Sequence, residues 1–245
     1  MVAIASNLRL RVLSAVDPIT TRLALTQVLL MNPALITPEL EQFLVAREAE
    51  FNQIPPERVA GLRQVADYIR SCGHKHRTAA LVFICTHNSR RSHFSQIWAQ
   101  VAAYRYGVTG VETFSGGTEV TAMNSRVADS LRRSGLAVEI PREFAADTNP
   151  RYLVRFAPNS PPLVCFSKIH NEPPNPSTDF CAVMTCAHAD EACPLVPSCN
   201  LRAAIRYDDP KVSDNTPAEA STYDERSAQI CREMLLLMHL ARQSG

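Results

Sequence analysis

The sequence carries almost no excess charge: 25 Lys and Arg balance 24 Asp and Glu, for a formal net charge of +1. So even a balance offers no electrostatic footprint for nucleic acid or an anionic membrane surface, and neither is expected as a partner. Long hydrophobic runs are lacking as well. No stretch approaches membrane-spanning length, and the start Met1-Val2-Ala3-Ile4-Ala5-Ser6 has no basic segment followed by a sustained apolar core, so a cytoplasmic protein is expected. There are no internal repeats, and no close Cys-x2-Cys doublet of the kind that holds zinc. Eight cysteines spread over 245 residues do not resemble a small disulfide scaffold, so most are expected to be reduced. Cys72, Cys165, Cys181 and Cys231 stand inside apolar or amphipathic runs and read as buried hydrophobes.

What is present is ordinary globular composition, 46% apolar and 20% charged, in a chain long enough to bury a full core. Residues from about 17 to 75 read as helical. Thr20 to Met31 is apolar-rich, Thr37-Pro38-Glu39-Leu40 is a cap-then-proline helix start, and Pro55-Pro56-Glu57-Arg58 opens a helix with Leu62, Val65, Ala66, Tyr68 and Ile69 at helical spacing. This is an N-terminal helical extension over residues 1–77, without chemistry of its own and expected to pack on the main domain, with a dimer contact or a bound partner as the alternatives. From Ala79 the pattern changes to alternating strands and helices: strands at Leu81–Cys85, Val111–Ser115, Leu163–Ser167, Cys181–Thr185 and, more weakly, Leu201–Tyr207; helices at 92–106, 123–134 and from Thr216 to Met238. Alternation of this kind predicts an α/β domain over 78–245, with a mostly parallel sheet covered by helices on both faces. A proline- and asparagine-rich insertion at about 141–179, with Tyr152–Phe156 as an extra strand, breaks the rhythm and is expected near the site. Ligands of such sheets sit at the carboxyl ends of the strands.

At one of those ends lies Leu81-Val82-Phe83-Ile84-Cys85-Thr86-His87-Asn88-Ser89-Arg90-Arg91-Ser92. Five residues separate Cys85 from Arg91. A loop closing over that span can curl its backbone N–H groups around one tetrahedral oxyanion, with the Arg91 guanidinium as a bidentate lid. A cysteine at the floor of that cup, before a helix and beside an arginine, is in surroundings that make a thiolate nucleophile available. A second signal is Tyr207-Asp208-Asp209-Pro210, which by itself reads as a solvated turn. Departure of an alkoxide or phenolate from phosphorus needs a proton donor, and an aspartic acid held against a bound oxyanion can serve. A third is Cys186-Ala187-His188-Ala189-Asp190-Glu191-Ala192-Cys193-Pro194, two cysteines seven residues apart. A metal site built from this pair with His188 and Cys199 is a competing reading, disfavoured by the missing doublet; Cys199 also reads as a spare thiol near this loop.

Cys-Thr-x-Asn-Ser-x-Arg-Ser after an apolar strand resembles the phosphate-binding loop of low-molecular-weight protein tyrosine phosphatases and of the arsenate reductases built on the same fold. Phe114-Ser115-Gly116-Gly117-Thr118-Glu119 followed by Asn124-Ser125-Arg126-Val127-Ala128 resembles their second strand, turn and helix, and the likeness runs from about Leu81 to Leu240. It implies a flavodoxin-like sheet and an oxyanion-binding loop of Thr86, His87, Asn88, Ser89, Arg90 and Ser92 around Cys85 and Arg91. The general acid it implies is the aspartate directly before proline, Asp209, with Asp208 as the fallback. The segment around Cys186 and Cys193 is similar to the redox segment of thioredoxin-coupled arsenate reductases. By that likeness Cys85 attacks arsenic, Cys186 attacks Cys85 and Cys193 displaces it, leaving a Cys186–Cys193 disulfide for thioredoxin or another thiol reductant. Seven residues of intact helix span about 10.5 Å, whereas bridged Cα atoms lie within about 7 Å, so the pair cannot join without local unwinding.

Two departures from the family pattern stand in the loop: His87 where glycine is usual, altering that turn or bringing an imidazole to the ligand, and Arg90 where a second cysteine is frequent, adding positive charge. Gln96 stands where some reductases use a glutamate to help bind potassium, so no ion and no bound cofactor are expected. Three readings result. An arsenate reductase is preferred; a phosphatase acting on phosphotyrosine protein or a small phosphomonoester through a phosphocysteine is the alternative; a non-catalytic phosphate-binding module is disfavoured because nucleophile, arginine and aspartate are all present. An aromatic ring near Asp209, with Tyr207, Tyr152 and Phe156 as candidates, would favour the phosphotyrosine pocket.

Overall fold

A computed structural model describes residues 36–192 and 195–242. The apolar run from Thr20 to Met31 and the relay thiol Cys193 lie outside the described residues. The centre of the chain is strand β1, Ala79–Cys85, every residue of which is buried. A strand covered on both faces has no reason to alternate, and Ala-Ala-Leu-Val-Phe-Ile-Cys does not. It pairs in parallel with β2 (Val111–Gly117) on one side. Next in the chain come β3 (Ala137–Glu139), β4 (Tyr152–Arg155) and β5 (Leu163–Cys165), which form a sheet of their own, and then β6 (Phe180–Met184), which pairs in parallel with β1 on its other side. β7 (Cys199–Ala204) closes the edge, and the order is β2-β1-β6-β7. From β1 the chain therefore moves out to β2 and later returns on the opposite flank, so the crevice between the carboxyl ends of β1 and β6 is the switch point where such sheets bind ligands. Cys85 ends β1, and Cys186 lies just past β6.

Side chains divide by the two-residue period of a strand. Leu81 and Phe83 of β1, with Cys181 and Val183 of β6, enter the larger core. That core is shared with helices α1 (Pro38–Glu48), α2 (Pro56–His74), α3 (Arg91–Tyr106), α4 (Ser125–Arg133) and α6 (Glu219–Arg242). Ala80, Val82 and Ile84 face the other way with Phe180, Ala182 and Met184. There the cover among the described residues is thin: Ala189 of the short α5 (Ala187–Ala192), with Val196 and Phe114. Helices lie on both faces, unequally.

The N-terminal helices begin where capping chemistry predicts. Thr37 Oγ1 accepts from Leu40 N at 3.2 Å, with Pro38 in the first turn. The ring of Phe43 stacks on Trp98 at 5.3 Å, and Arg105 pairs with both Glu41 and Glu48, so α1 is fastened to α3. Trp98 donates its indole N–H to Ser227 Oγ at 3.0 Å, tying α3 to α6. The described residues pack as one compact unit.

The insertion departs from expectation. Leu163–Ser167 does not continue the parallel series: β5 (Leu163–Cys165) pairs antiparallel with β4 (Tyr152–Arg155), which pairs antiparallel with β3 (Ala137–Glu139) in a separate three-stranded sheet. From Arg155 to Leu163 the connection is too short for the crossover that parallel pairing needs. Beyond β5 the chain turns back over the end of β2, where Gly117 bridges Ile169. A Cβ on Gly117 would stand 2.5 Å from Glu119 O and 2.7 Å from Thr86 O, so three backbone segments meet there at distances only glycine permits.

Leu44 of α1 is fully buried in the common core, so Leu44→Ala should cost about 2–5 kcal/mol. Urea unfolding followed by Trp98 fluorescence and by far-UV circular dichroism should show both signals moving together; an unchanged midpoint would mean that α1 folds apart from the sheet.

Candidate active site

Between β1 and α3 the loop turns its carbonyls outward. Thr86 O accepts from Thr118 N and Glu119 N, both at 2.8 Å, and His87 O accepts from Thr121 Oγ1 at 3.0 Å and Ser167 Oγ at 2.9 Å. Ser89 O accepts from Asn124 N and Arg90 O from Phe94 N, each at 3.0 Å. With those oxygens engaged by surrounding protein, the N–H groups of His87, Asn88, Ser89 and Arg90 find no protein acceptor among the described residues. Carbonyls out and amides in is the geometry of an anion nest.

Asn88 holds this turn. Its φ of +43° lies in the left-handed region, which asparagine tolerates better than most residues. Fully buried, it donates from Nδ2 to Ser92 Oγ at 2.9 Å and accepts the Lys168 N–H at Oδ1 at 3.0 Å. Ser92 Oγ in turn is 3.1 Å from Cys85 Sγ. With one lone pair of Ser92 Oγ taken by Asn88, its proton is available to donate to the sulfur when Cys85 is ionised. His87 makes no left-handed turn; its imidazole, side chain 45% exposed, stands 3.4 Å from Glu119 Oε2 and joins the loop through its backbone.

Arg91 opens α3 and donates to Asp209 Oδ2 at 2.7 Å and to Tyr207 O at 3.1 Å. Asp209 is held by a second bond, Lys211 N to its Oδ1 at 3.1 Å, at the start of a short 3-10 turn Pro210–Ser213. Asp208, with its side chain 94% exposed, pairs outward with Arg226. Asp209 is thus the carboxylate that meets Arg91, while Asp208 lines the same cavity without bonding that guanidinium. Arg90 donates to Tyr223 OH at 2.6 Å and Asp214 Oδ2 at 2.9 Å and lies 4.0 Å from Asp209 Oδ1, and these carboxylates offset the charge expected to add to the loop.

A cavity of about 700 Å³ opens from Arg91 and Asp209 past His188, Arg206, Tyr207 and Arg226. Tyr207 presents little ring to it, being 5% exposed with its hydroxyl on Glu233 Oε2 at 2.8 Å. Tyr152 and Phe156 are buried in the core. Cys186 is 1% exposed, its Sγ 3.6 Å from Thr86 Oγ1, and it shares an apolar cluster with Cys85, Ile84 and Met184. Cys199 opens β7 in register with Phe180, at the other end of β6 from Cys186, and packs against the edge of the same apolar cluster. Cys72, Cys165, Cys181 and Cys231 are buried as expected. Among the described residues no three His, Cys, Asp or Glu gather as a metal site, and no helix is long and apolar enough to cross a membrane.

Sequence reasoning missed two residues beneath the loop. His93 is fully buried with Nδ1 3.3 Å from Ser115 Oγ, and burial, aided by the nearby Lys168 ammonium, pushes it down to about 3, so it is neutral. Lys168, 4% exposed, is lowered to about 8 by burial; its ammonium lies 4.7 Å from the Phe166 ring. Its backbone ties the loop to β2, bonding Asn88 and, through its carbonyl, Gly117 N at 2.9 Å. The helical periodicity of 92–106 rests on its apolar positions and did not single out His93, and nothing local in the insertion marked Lys168. Gln96, buried, donates to Thr113 O at 3.0 Å.

No family model and no curated protein matches the chain. Among solved structures it is similar to a low molecular weight phosphotyrosine phosphatase from Vibrio cholerae O395, at 12% identity and a TM-score of 0.41 over 66% of this chain and 95% of that one. It is similar to the same extent to a low molecular weight protein tyrosine phosphatase from T. tengcongensis, at 12% identity and a TM-score of 0.41 over 66% of this chain and 99% of that one. The functional reading rests on the site's own geometry.

Because the folded-state value of His93 is depressed, its contribution to stability is complete above its unfolded value of about 6.5 and is lost as pH falls toward about 3. Between pH 7 and pH 5 this amounts to roughly 2 kcal/mol. The drop in urea stability over that interval should be smaller by that amount in His93→Gln than in the parent; equal drops would show that the imidazole is not held neutral.

Proposed function

We propose that the chain is an arsenate reductase that uses Cys85 as nucleophile and a thiol relay through Cys186 and Cys193. The observation that carries this reading is a second buried thiol, Cys186, whose Sγ is within reach of the hydroxyl of Thr86, the residue after the nucleophile. In a purely hydrolytic site that thiol has no task.

The chemistry runs as follows. Arsenate enters the nest, taking the N–H groups of residues 87–90 and the Arg91 guanidinium. The Cys85 thiolate, supported by the Ser92 hydroxyl, attacks arsenic; an As–S bond forms and an oxygen leaves as water with a proton from Asp209. Cys186 then attacks Cys85 Sγ. An S–S bond forms, the As–S bond breaks with its electron pair going to arsenic, and arsenite departs. Cys193 displaces Cys85, and the resulting Cys186–Cys193 disulfide is reduced by thioredoxin or another thiol reductant.

The cavity favours one other reading, since about 700 Å³ exceeds what an inorganic oxyanion fills. In phosphomonoester hydrolysis the same Cys85 would form a phosphocysteine, Asp209 would protonate the leaving alkoxide, and then take a proton from the attacking water. A poorly exposed Tyr207 as the sole Phe, Tyr or Trp ring among the described lining residues argues against a phosphotyrosine slot.

Arsenate-dependent NADPH oxidation in the presence of thioredoxin and its reductase tests the reductase reading directly. Cys85→Ser should abolish turnover of arsenate and of p-nitrophenyl phosphate, and Asp209→Asn should slow the latter by about 10²–10⁴-fold. Cys193→Ser should stop arsenate turnover; if NADPH oxidation persists in that variant, the three-thiol relay is wrong.

A further inference from the structure

We propose that His188 takes the proton of the Cys186 thiol, with the Thr86 hydroxyl as the bridge between them; this assigns a proton path to the relay and rests on that reading. Sγ of Cys186 is 3.6 Å from Thr86 Oγ1, and the same oxygen is 3.2 Å from His188 Nδ1. A hydroxyl has one proton to give and two lone pairs. With Cys186 protonated, the thiol donates to Thr86 and Thr86 donates to Nδ1. Moving one proton along each bond gives the other arrangement: Nδ1–H donates to Thr86, and Thr86 donates to a thiolate. Both arrangements satisfy every partner without moving a heavy atom. In the second, the sulfur accepts from Thr86 and also from Ala189 N, which is 3.3 Å away, and two donors are what a buried thiolate needs.

The outer side of the imidazole fits the rest of the step. His188 is exposed and lines the cavity that Arg91 and Asp209 open into; Arg206, Asp208, Tyr207 and Arg226 complete the charged and titratable groups facing that space. The Cys186 thiolate attacks Cys85 Sγ, the S–S bond forms, and arsenite leaves with the As–S electron pair while the imidazolium stands at the exit with a proton for the departing oxygen. In this scheme the proton that leaves Cys186 is returned to product and none is lost to the core. His188 therefore acts on the reacting sulfur through Thr86, as a positioning residue for proton transfer.

The test does not depend on arsenate. In the full chain carrying Cys193→Ser, which cannot resolve the first disulfide, hydrogen peroxide oxidises the Cys85 thiolate to a sulfenic acid. The Cys186 thiolate then attacks that sulfur, expels hydroxide and forms the Cys85–Cys186 disulfide, whose rate is read by quenching and peptide mass mapping. His188→Ala, a change at an exposed position, should slow disulfide formation by roughly 10²-fold, and added imidazole, which can enter the open cavity, should restore much of the rate. Thr86→Val should slow the same step without rescue by imidazole, and Thr86→Ser should keep it. Disulfide formation as fast in His188→Ala as in its parent, a defect that imidazole leaves unchanged, or no Cys85–Cys186 disulfide in the parent would each overturn the inference. Absence of arsenate turnover in the native chain, with the His188 dependence of the peroxide reaction intact, would instead sink the reductase reading and leave the proton path standing.

Discussion

Everything at this site depends on the direction in which one short run of peptide groups points. Between Cys85 and Arg91 the carbonyls of residues 86, 87, 89 and 90 are all held outward by neighbouring donors, which leaves the intervening amides turned inward. A single left-handed residue, Asn88, makes the turn possible, and its side chain prevents it from relaxing by bonding Ser92 on one side and Lys168 on the other. The fully buried strand before it and the long helix after it supply rigid ends. The nest is therefore preorganised, and an oxyanion entering it need not first order the backbone.

The insertion has a structural role that its composition conceals. Its segment after β5 meets the loop at two points and β2 at a third: Ser167 Oγ donates to the His87 carbonyl, Lys168 N donates to Asn88, and the Lys168 carbonyl accepts from Gly117 at the end of β2. Gly116 and Gly117 let it come that close, since a Cβ on Gly116 would stand 2.3 Å from His170 Cα. The same approach buries the Lys168 amine under the site, where losing water disfavours its charge. Loop, second strand and insertion thus form one braced unit at the carboxyl end of the sheet.

Much of this could be read from residue order alone. The strand–loop–helix around Cys85, the Thr37-capped helix and the proline-led helix at Pro56, and the parallel succession of β1, β2, β6 and β7 are local or periodic signals that packing reinforced. The antiparallel sheet of the insertion was misread at Leu163–Ser167 because an apolar run of a few residues does not say which neighbour it will pair with. Arg90 is the instructive case among side chains. Its place in the loop is a fact of sequence, but its guanidinium reaches Asp214 and Tyr223, more than a hundred positions away, and so supplies no free charge.

The sequence by itself determined that a cysteine ends a buried strand, that an arginine follows at the spacing of an oxyanion cup, and that further thiols and an aspartate before proline lie downstream. Those are properties of short stretches, set by strand period, turn chemistry and residue type. Only the tertiary structure decided which of those groups meet. It put Asp209 rather than Asp208 against Arg91, Cys186 and His188 on the two sides of the Thr86 hydroxyl, and Cys199 at the opposite end of the sheet. The reason is that proximity across a parallel sheet is set by strand order and register, and β6 comes to lie beside β1 only after nearly a hundred intervening residues have folded around them.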